Sequence, residues 1–89
     1  MRPGNAGEVR ETVRAVLRDV LGLGARADAF DDATPLFGAL PELDSMAVAG
    51  LLTELEDRLG IVIEDEEVDG EMLENFGSLS NYALLKTLN

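Results

Sequence analysis

Residues 43–60 read Leu43-Asp44-Ser45-Met46-Ala47-Val48-Ala49-Gly50-Leu51-Leu52-Thr53-Glu54-Leu55-Glu56-Asp57-Arg58-Leu59-Gly60. Val48, Leu51, Leu52, Leu55 and Leu59 recur at the three- and four-residue spacing of one helix face. Asp44 is a strong N-cap residue, and its charge suits the positive end of a helix dipole. Gly60 stops the pattern, as glycine does at helix C-termini. The stretch therefore predicts a helix that begins around Asp44-Ser45, buries one stripe and ends at Gly60.

Upstream, Val9, Val13, Val16, Leu17, Val20 and Leu21 form a second stripe, with Arg10, Arg14 and Arg18 on another face. Gly22 and Gly24 end it. Residues 22–43 form a long connection rich in Gly, Pro, Asp and Ala, of a length that is uncommon in small domains and often functional. Phe30, Leu36, Phe37, Leu40 and Leu43 are expected to pin it to the core, and Pro35 and Pro41 to stiffen it. Downstream, Ile61, Val62 and Ile63 read as a short extended segment. Glu64 to Asp69 reads as an acidic loop. A short third helix is expected over Gly70 to Phe76, with Met72, Leu73 and Phe76 inward. Ser78 is expected to cap a last helix running to about Leu88, with Leu79, Tyr82, Ala83, Leu85 and Leu88 as its apolar contacts. The fold class is all-α: a small four-helix bundle of three main helices and a short third one. It fills a single domain over residues 1–89, with residues 1–7 expected to be flexible.

Composition narrows the function. The 89 residues suffice for one domain, with 46% hydrophobic and 28% charged residues. Seven basic against 18 acidic residues give a net charge of -11, which argues against nucleic-acid binding and against docking on an anionic membrane. Residues 28–74 hold fifteen acids and one base, Arg58. Such a surface suits basic protein partners, or simply keeps a small domain soluble. The chain has no Cys and no His, which removes disulfides, thiol catalysis, zinc-thiolate sites and a Ser-His-Asp triad. No apolar run approaches a membrane span and the N-terminus lacks a signal-peptide pattern, so a soluble cytoplasmic domain is expected.

Few residues carry candidate chemistry. Asp65, Glu67 and Asp69 with Gly70 imitate the start of a calcium loop, but the closing position is Phe76 where a bidentate Glu is required. A true calcium loop is therefore not expected and no metal ligand is assigned, which leaves at most a loose, unspecific cation site there. Glu54, Glu56 and Asp57 most simply make a solvated helix face, and no pair is singled out for acid–base work. Ser45 has two readings. It is ordinary helix-start chemistry, or its hydroxyl is presented to an outside enzyme. A phosphate ester there would sit where free backbone N–H groups and the helix dipole favour an anion. Met46 is either a core contact or an adaptable contact for partners.

Leu43-Asp44-Ser45-Met46, followed by the striped helix and by Leu55-Glu56-Asp57-Arg58-Leu59-Gly60-Ile61, resembles the acyl carrier protein family. The first helix, the long loop containing Leu36-Phe37, and Phe76-Gly77-Ser78-Leu79 before the last helix extend the resemblance over about residues 8–88. It implies a four-helix bundle whose motif serine, here Ser45, receives 4'-phosphopantetheine from coenzyme A. A separate phosphopantetheinyl transferase performs that step with magnesium. The arm's thiol would then carry acyl groups as thioesters between enzymes of a fatty-acid, polyketide or related pathway. The protein itself would not be an enzyme and would be a monomer. Its partners would be acyl-transferring or condensing enzymes with basic docking surfaces.

Residue by residue, the resemblance makes Asp44 the acidic neighbour that helps the transferase dock and Met46 the apolar contact after the serine. Glu56 and Asp57 match acidic positions of the recognition helix. Ala47 and Gly50 depart from the family, standing where typical fatty-acid carriers have acids, and this suits a dedicated partner. The Glu64 to Phe76 region is also longer than in the commonest carriers. Leu40 to Val48 is similar to standalone bacterial carriers of exopolysaccharide and exosortase systems. Val48, Leu52, Leu55, Ile63, Met72 and Leu73 are the expected acyl pocket. The third helix should be the least stable element, because arm and chain must move. Two other readings stand beside this one: an aminoacyl or peptidyl carrier, and an unmodified acidic helical adaptor in which Ser45 is only a cap.

Overall fold

Helix α1, Ala6–Leu21, starts where Asn5 accepts a hydrogen bond from the Glu8 N–H and ends at Gly22, whose φ of 65° is the left-handed conformation that glycine allows. The computed structural model describes residues 5–88. The flexible segment expected over residues 1–7 thus falls partly outside the described residues, while Asn5 to Gly7 form the cap and first turn of α1. Helix α2, Ser45–Leu59, is capped by Asp44 and ends at Gly60, also at φ 65°. Helix α3, Phe76–Leu88, completes the set, with 3-10 helices at Gly24–Ala29 and Asp65–Glu67. Among the described residues there is no strand. The all-α architecture follows from the two apolar stripes.

The core draws on every element. Val9, Val13, Val16, Leu17 and Leu21 of α1 meet Leu51, Leu55 and Leu59 of α2 and Phe76, Leu79 and Ala83 of α3, all buried. On area bookkeeping, each such aliphatic side chain contributes roughly 1.5–3 kcal/mol. Val48 and Leu52, from the same α2 stripe, are only half-buried. Leu85 and Leu88, expected as contacts of the last helix, are exposed.

The long connection is ordered by contacts that no local pattern announces. The Arg14 guanidinium donates to the carbonyls of Ala27 and Phe30 at 2.6 and 3.0 Å and lies over the Phe76 ring. Arg14 thus ties the loop to α1 instead of merely facing water. The loop then zips onto the segment before α3. Leu36 and Phe37 N–H groups donate to the Glu74 and Leu73 carbonyls, while Phe76 and Gly77 N–H groups donate to Thr34 and Asp32, all at 2.9–3.0 Å. Leu36 and Leu43 are buried and Phe30 and Leu40 partly so, but Phe37 is 48% exposed.

These same bonds correct two expectations. The helix expected over Gly70 to Phe76 is absent: Gly70 to Asn75 form turns and Phe76 already begins α3, because the carbonyls of Leu73 and Glu74 face the loop and the Asp69 carboxylate takes the Met72 N–H. The short helical piece lies earlier, at Asp65–Glu67, closed by reciprocal bonds between Glu64 and Glu67. Met72, Leu73 and Phe76 are nevertheless buried, as the apolar pattern required. Ser78 does not cap the last helix. Asn75 does: its side chain accepts from the Ser78 N–H at 2.7 Å, and Ser78 Oγ accepts from the Asn75 N–H at 3.2 Å.

Candidate functional site

Ser45 is the first residue of α2 and is exposed. Asp44 performs the capping, its Oδ1 accepting from the Ala47 N–H at 2.8 Å. The Asp44 carbonyl takes the Val48 N–H at 2.9 Å. The N–H groups of Ser45 and Met46 belong to the helix's unpaired first turn. Among the described residues nothing hydrogen-bonds the Ser45 hydroxyl. The cap reading of Ser45 is thus replaced by a cap on Asp44. The serine stands with its hydroxyl in solvent and the positive end of α2 beneath it.

Two grooves open at Ser45, separated by Val48. One, of about 350 Å³, runs along α2 past Leu52 and Glu56 under Ile63 and Val68. The other, of about 280 Å³, is walled by Phe37, Leu73 and Gly70 with Asp69 at its rim. Four residues of the expected acyl pocket, Val48, Leu52, Ile63 and Leu73, line these grooves. Leu55 is wholly buried in the core. Met72 is buried and lines a different groove, of about 400 Å³, with Glu67, Tyr82 and Leu85.

The expected recognition residues divide in the same way. Met46 is 86% exposed, so it is not a core contact. Ala47 is half-buried and Gly50 exposed, so the first turns of α2 present an uncharged surface. Asp57 is exposed. Glu56 is half-buried, and its Oε2 accepts the Ile63 N–H at 2.8 Å. It holds the strand-like exit of α2 instead of standing free. Glu54 pairs with Arg58, which also reaches Asp19 of α1. Among the described residues no cluster of His, Cys, Asp and Glu could hold a metal ion.

Phe37 and Asp65 also line the grooves at Ser45, and neither was expected there. Phe37 begins a turn directly after Leu36, and which of the two adjacent apolar residues is buried is decided by the distant Glu74 and Leu73 carbonyls that their N–H groups reach. Asp65 gave no signal, because its place depends on the chain folding back over α2.

Comparison with known proteins fits this geometry. Residues 11–83 match the family model described as the phosphopantetheine attachment site. Among curated proteins none matches the sequence. The fold is similar to the solution structure of a holo acyl carrier protein from Nitrosomonas europaea, with a TM-score of 0.84 and 38% identity over 90% of this chain and 96% of that one. An exposed, unengaged serine hydroxyl at a helix start, with two grooves beside it, fits a covalently held phosphopantetheine. No helix among the described residues is long and apolar enough to cross a membrane. The chain belongs to the acyl carrier protein family and is a carrier protein of the phosphopantetheine-attachment type.

Proposed function

We propose that Ser45 takes the 4'-phosphopantetheine arm and that the arm's thiol carries acyl groups between the enzymes of a biosynthetic pathway. The observation that carries this reading is the position of Ser45: exposed, first in α2, relieved of capping by Asp44, and flanked by two grooves. A phosphate ester on its oxygen would face the unpaired N–H groups and dipole of the helix start. The chain's own residues do the holding. Asp44 fixes the first turn, Val48, Leu52, Ile63 and Leu73 offer apolar walls to a cargo, and catalysis is left to partners.

The partners of this reading are a phosphopantetheinyl transferase, using coenzyme A and magnesium, and acyl-transferring or condensing enzymes. Every described basic side chain is already paired within the molecule, which leaves a negative surface for basic partners. Met46, Ala47 and Gly50 add an uncharged contact beside Ser45, Asp44, Asp65 and Asp69 are exposed acids at the same place, and Asp57 is an exposed acid further along α2. The cargo is the acyl class, of fatty-acid, polyketide or related origin, handled by a cytoplasmic monomer.

Intact mass tests the reading. The protein is incubated with a broad-specificity transferase, coenzyme A and magnesium, with Ser45→Ala alongside. One phosphopantetheine on the wild type and none on the variant is the expected result. No gain on folded wild type, or a gain on the variant, would reject Ser45 as the attachment point.

A further inference from the structure

The larger groove at Ser45 has apolar side chains along it, is also lined by the exposed Thr53 and Asp65, and stops along α2 on a half-buried carboxylate. Val48, Leu52, Ile63 and Val68 line it, and Glu56 is the last α2 residue that does so. Eleven residues separate Ser45 from Glu56 along α2, about 16 Å at the helical rise of roughly 1.5 Å per residue. Glu56 is half-buried and tethered by the Ile63 N–H at 2.8 Å, so it cannot swing into solvent without orphaning a backbone donor. An alkyl chain gains free energy with each methylene it lays against Val48, Leu52 and Ile63. A chain that reached Glu56 would strip water from a charge and offer it nothing in return.

We propose that Glu56 ends the acyl groove and so limits the protein to sheltering acyl chains that stop short of it. This rests on the carrier reading of Ser45. Glu56 is then a specificity-determining residue, with a role separate from docking. The smaller groove past Phe37 and Leu73 is the competing path for the same chain.

The test loads Ser45 with arms bearing straight-chain acyl groups of increasing length, from the corresponding acyl coenzyme A series, and follows hydroxylamine cleavage of each thioester. In the wild type, cleavage should slow by about fourfold per sheltered methylene and then level off with length. Glu56→Gln keeps an acceptor for the Ile63 N–H but removes the charge, and should move the plateau to longer chains. Glu56→Leu should move it further. Glu66→Gln, which removes the same charge from an exposed position, should leave the plateau where it was. Amide shifts that grow with chain length should fall on Ile63 and Val68. An unchanged plateau in Glu56→Gln overturns the inference, even if Glu56→Leu does not fold. So do length-dependent shifts at Phe37 and Leu73 instead. Failure of the wild type to accept any arm, read by intact mass, overturns the carrier reading itself.

Discussion

Asp44 and Ser45 are chain neighbours with different duties, and substitution separates them. Asp44→Ala removes the acceptor for the Ala47 N–H and should cost about 0.5–2 kcal/mol. Ser45→Ala removes an exposed hydroxyl that caps nothing, should cost less than about 0.5 kcal/mol, and should abolish arm attachment. Urea unfolding and intact mass on both variants check this. A larger stability loss in Ser45→Ala would return the cap to Ser45. Gly77 is fixed by close approach, not by backbone conformation. A Cβ there would lie 2.9 Å from the Asp32 carbonyl oxygen and Cβ, while the Gly77 N–H donates to that carbonyl at 3.0 Å. Gly77→Ala should therefore cost roughly 1–3 kcal/mol, whereas Gly70→Ala, with nothing within 4 Å, should be near neutral. Equal urea midpoints for the two variants would sink the packing argument. The Asp44 cap was legible because capping spans three residues of chain. The hold of Glu56 on Ile63 and the fit of Gly77 under Asp32 were not, since each needs distant backbone to return to a particular place.

At the scale of elements, α1 and α2 were legible but for two details: the Asn5 cap and first turn of α1, where a flexible segment was expected, and the half-burial of Val48 and Leu52. Their stripes are regular, and Gly22 and Gly60 terminate them by a conformation that glycine alone adopts cheaply. The segment from Gly70 to Asn75 was not, nor the 3-10 turn at Asp65–Glu67, although the extended Ile61 to Ile63 was. The local pattern of Gly70 to Phe76 suits a helix, but Leu36 and Phe37 take the carbonyls that such a helix would use. A tertiary ladder overrode local propensity. What remains there is short-range: Glu67 to Glu64, Val68 to Asp65, Met72 to the Asp69 side chain, Glu74 to Glu71. Such bonds open singly, while those of an α-helix open together. Amides of residues 61–71 should exchange with deuterium at least about tenfold faster than those of Val13 to Leu17. Equal protection would mean that this segment is as firmly built as α1 and would count against a chain entering beside it.

For the whole molecule the governing quantity is a charge of -11. Since the described basic side chains are spent on internal pairs, salt should act in opposite directions on the two equilibria. Screening relieves self-repulsion and should raise the unfolding temperature, while it weakens docking on a basic partner. Calorimetry and partner titration at two ionic strengths check both signs, and docking that tightens with salt would place recognition on Met46 and its uncharged neighbours. Stability should fall at both ends of the pH scale. Asp19 is held below its ordinary value of 3.8, first by Arg58, Glu42 below 4.5 by Arg26, and Glu67 below 4.5 by the Glu64 N–H and then Lys86. Lowered folded values give stability that is present above about pH 4.5 and lost as pH falls through them. Tyr82 sets the alkaline side. Its hydroxyl is buried, and that burial first, then the Glu67 carboxylate beside it, pushes it up to about 12 from 10.0. Between those values the unfolded chain loses a proton that the folded one keeps, so stability falls as pH rises. Because the chain has one Tyr, its ultraviolet titration reports this group alone. A midpoint near 12 in the folded protein and near 10 in denaturant is expected. Coincident midpoints would show that the hydroxyl reaches water and that the packing of α3 against the Asp65–Glu67 turn is open.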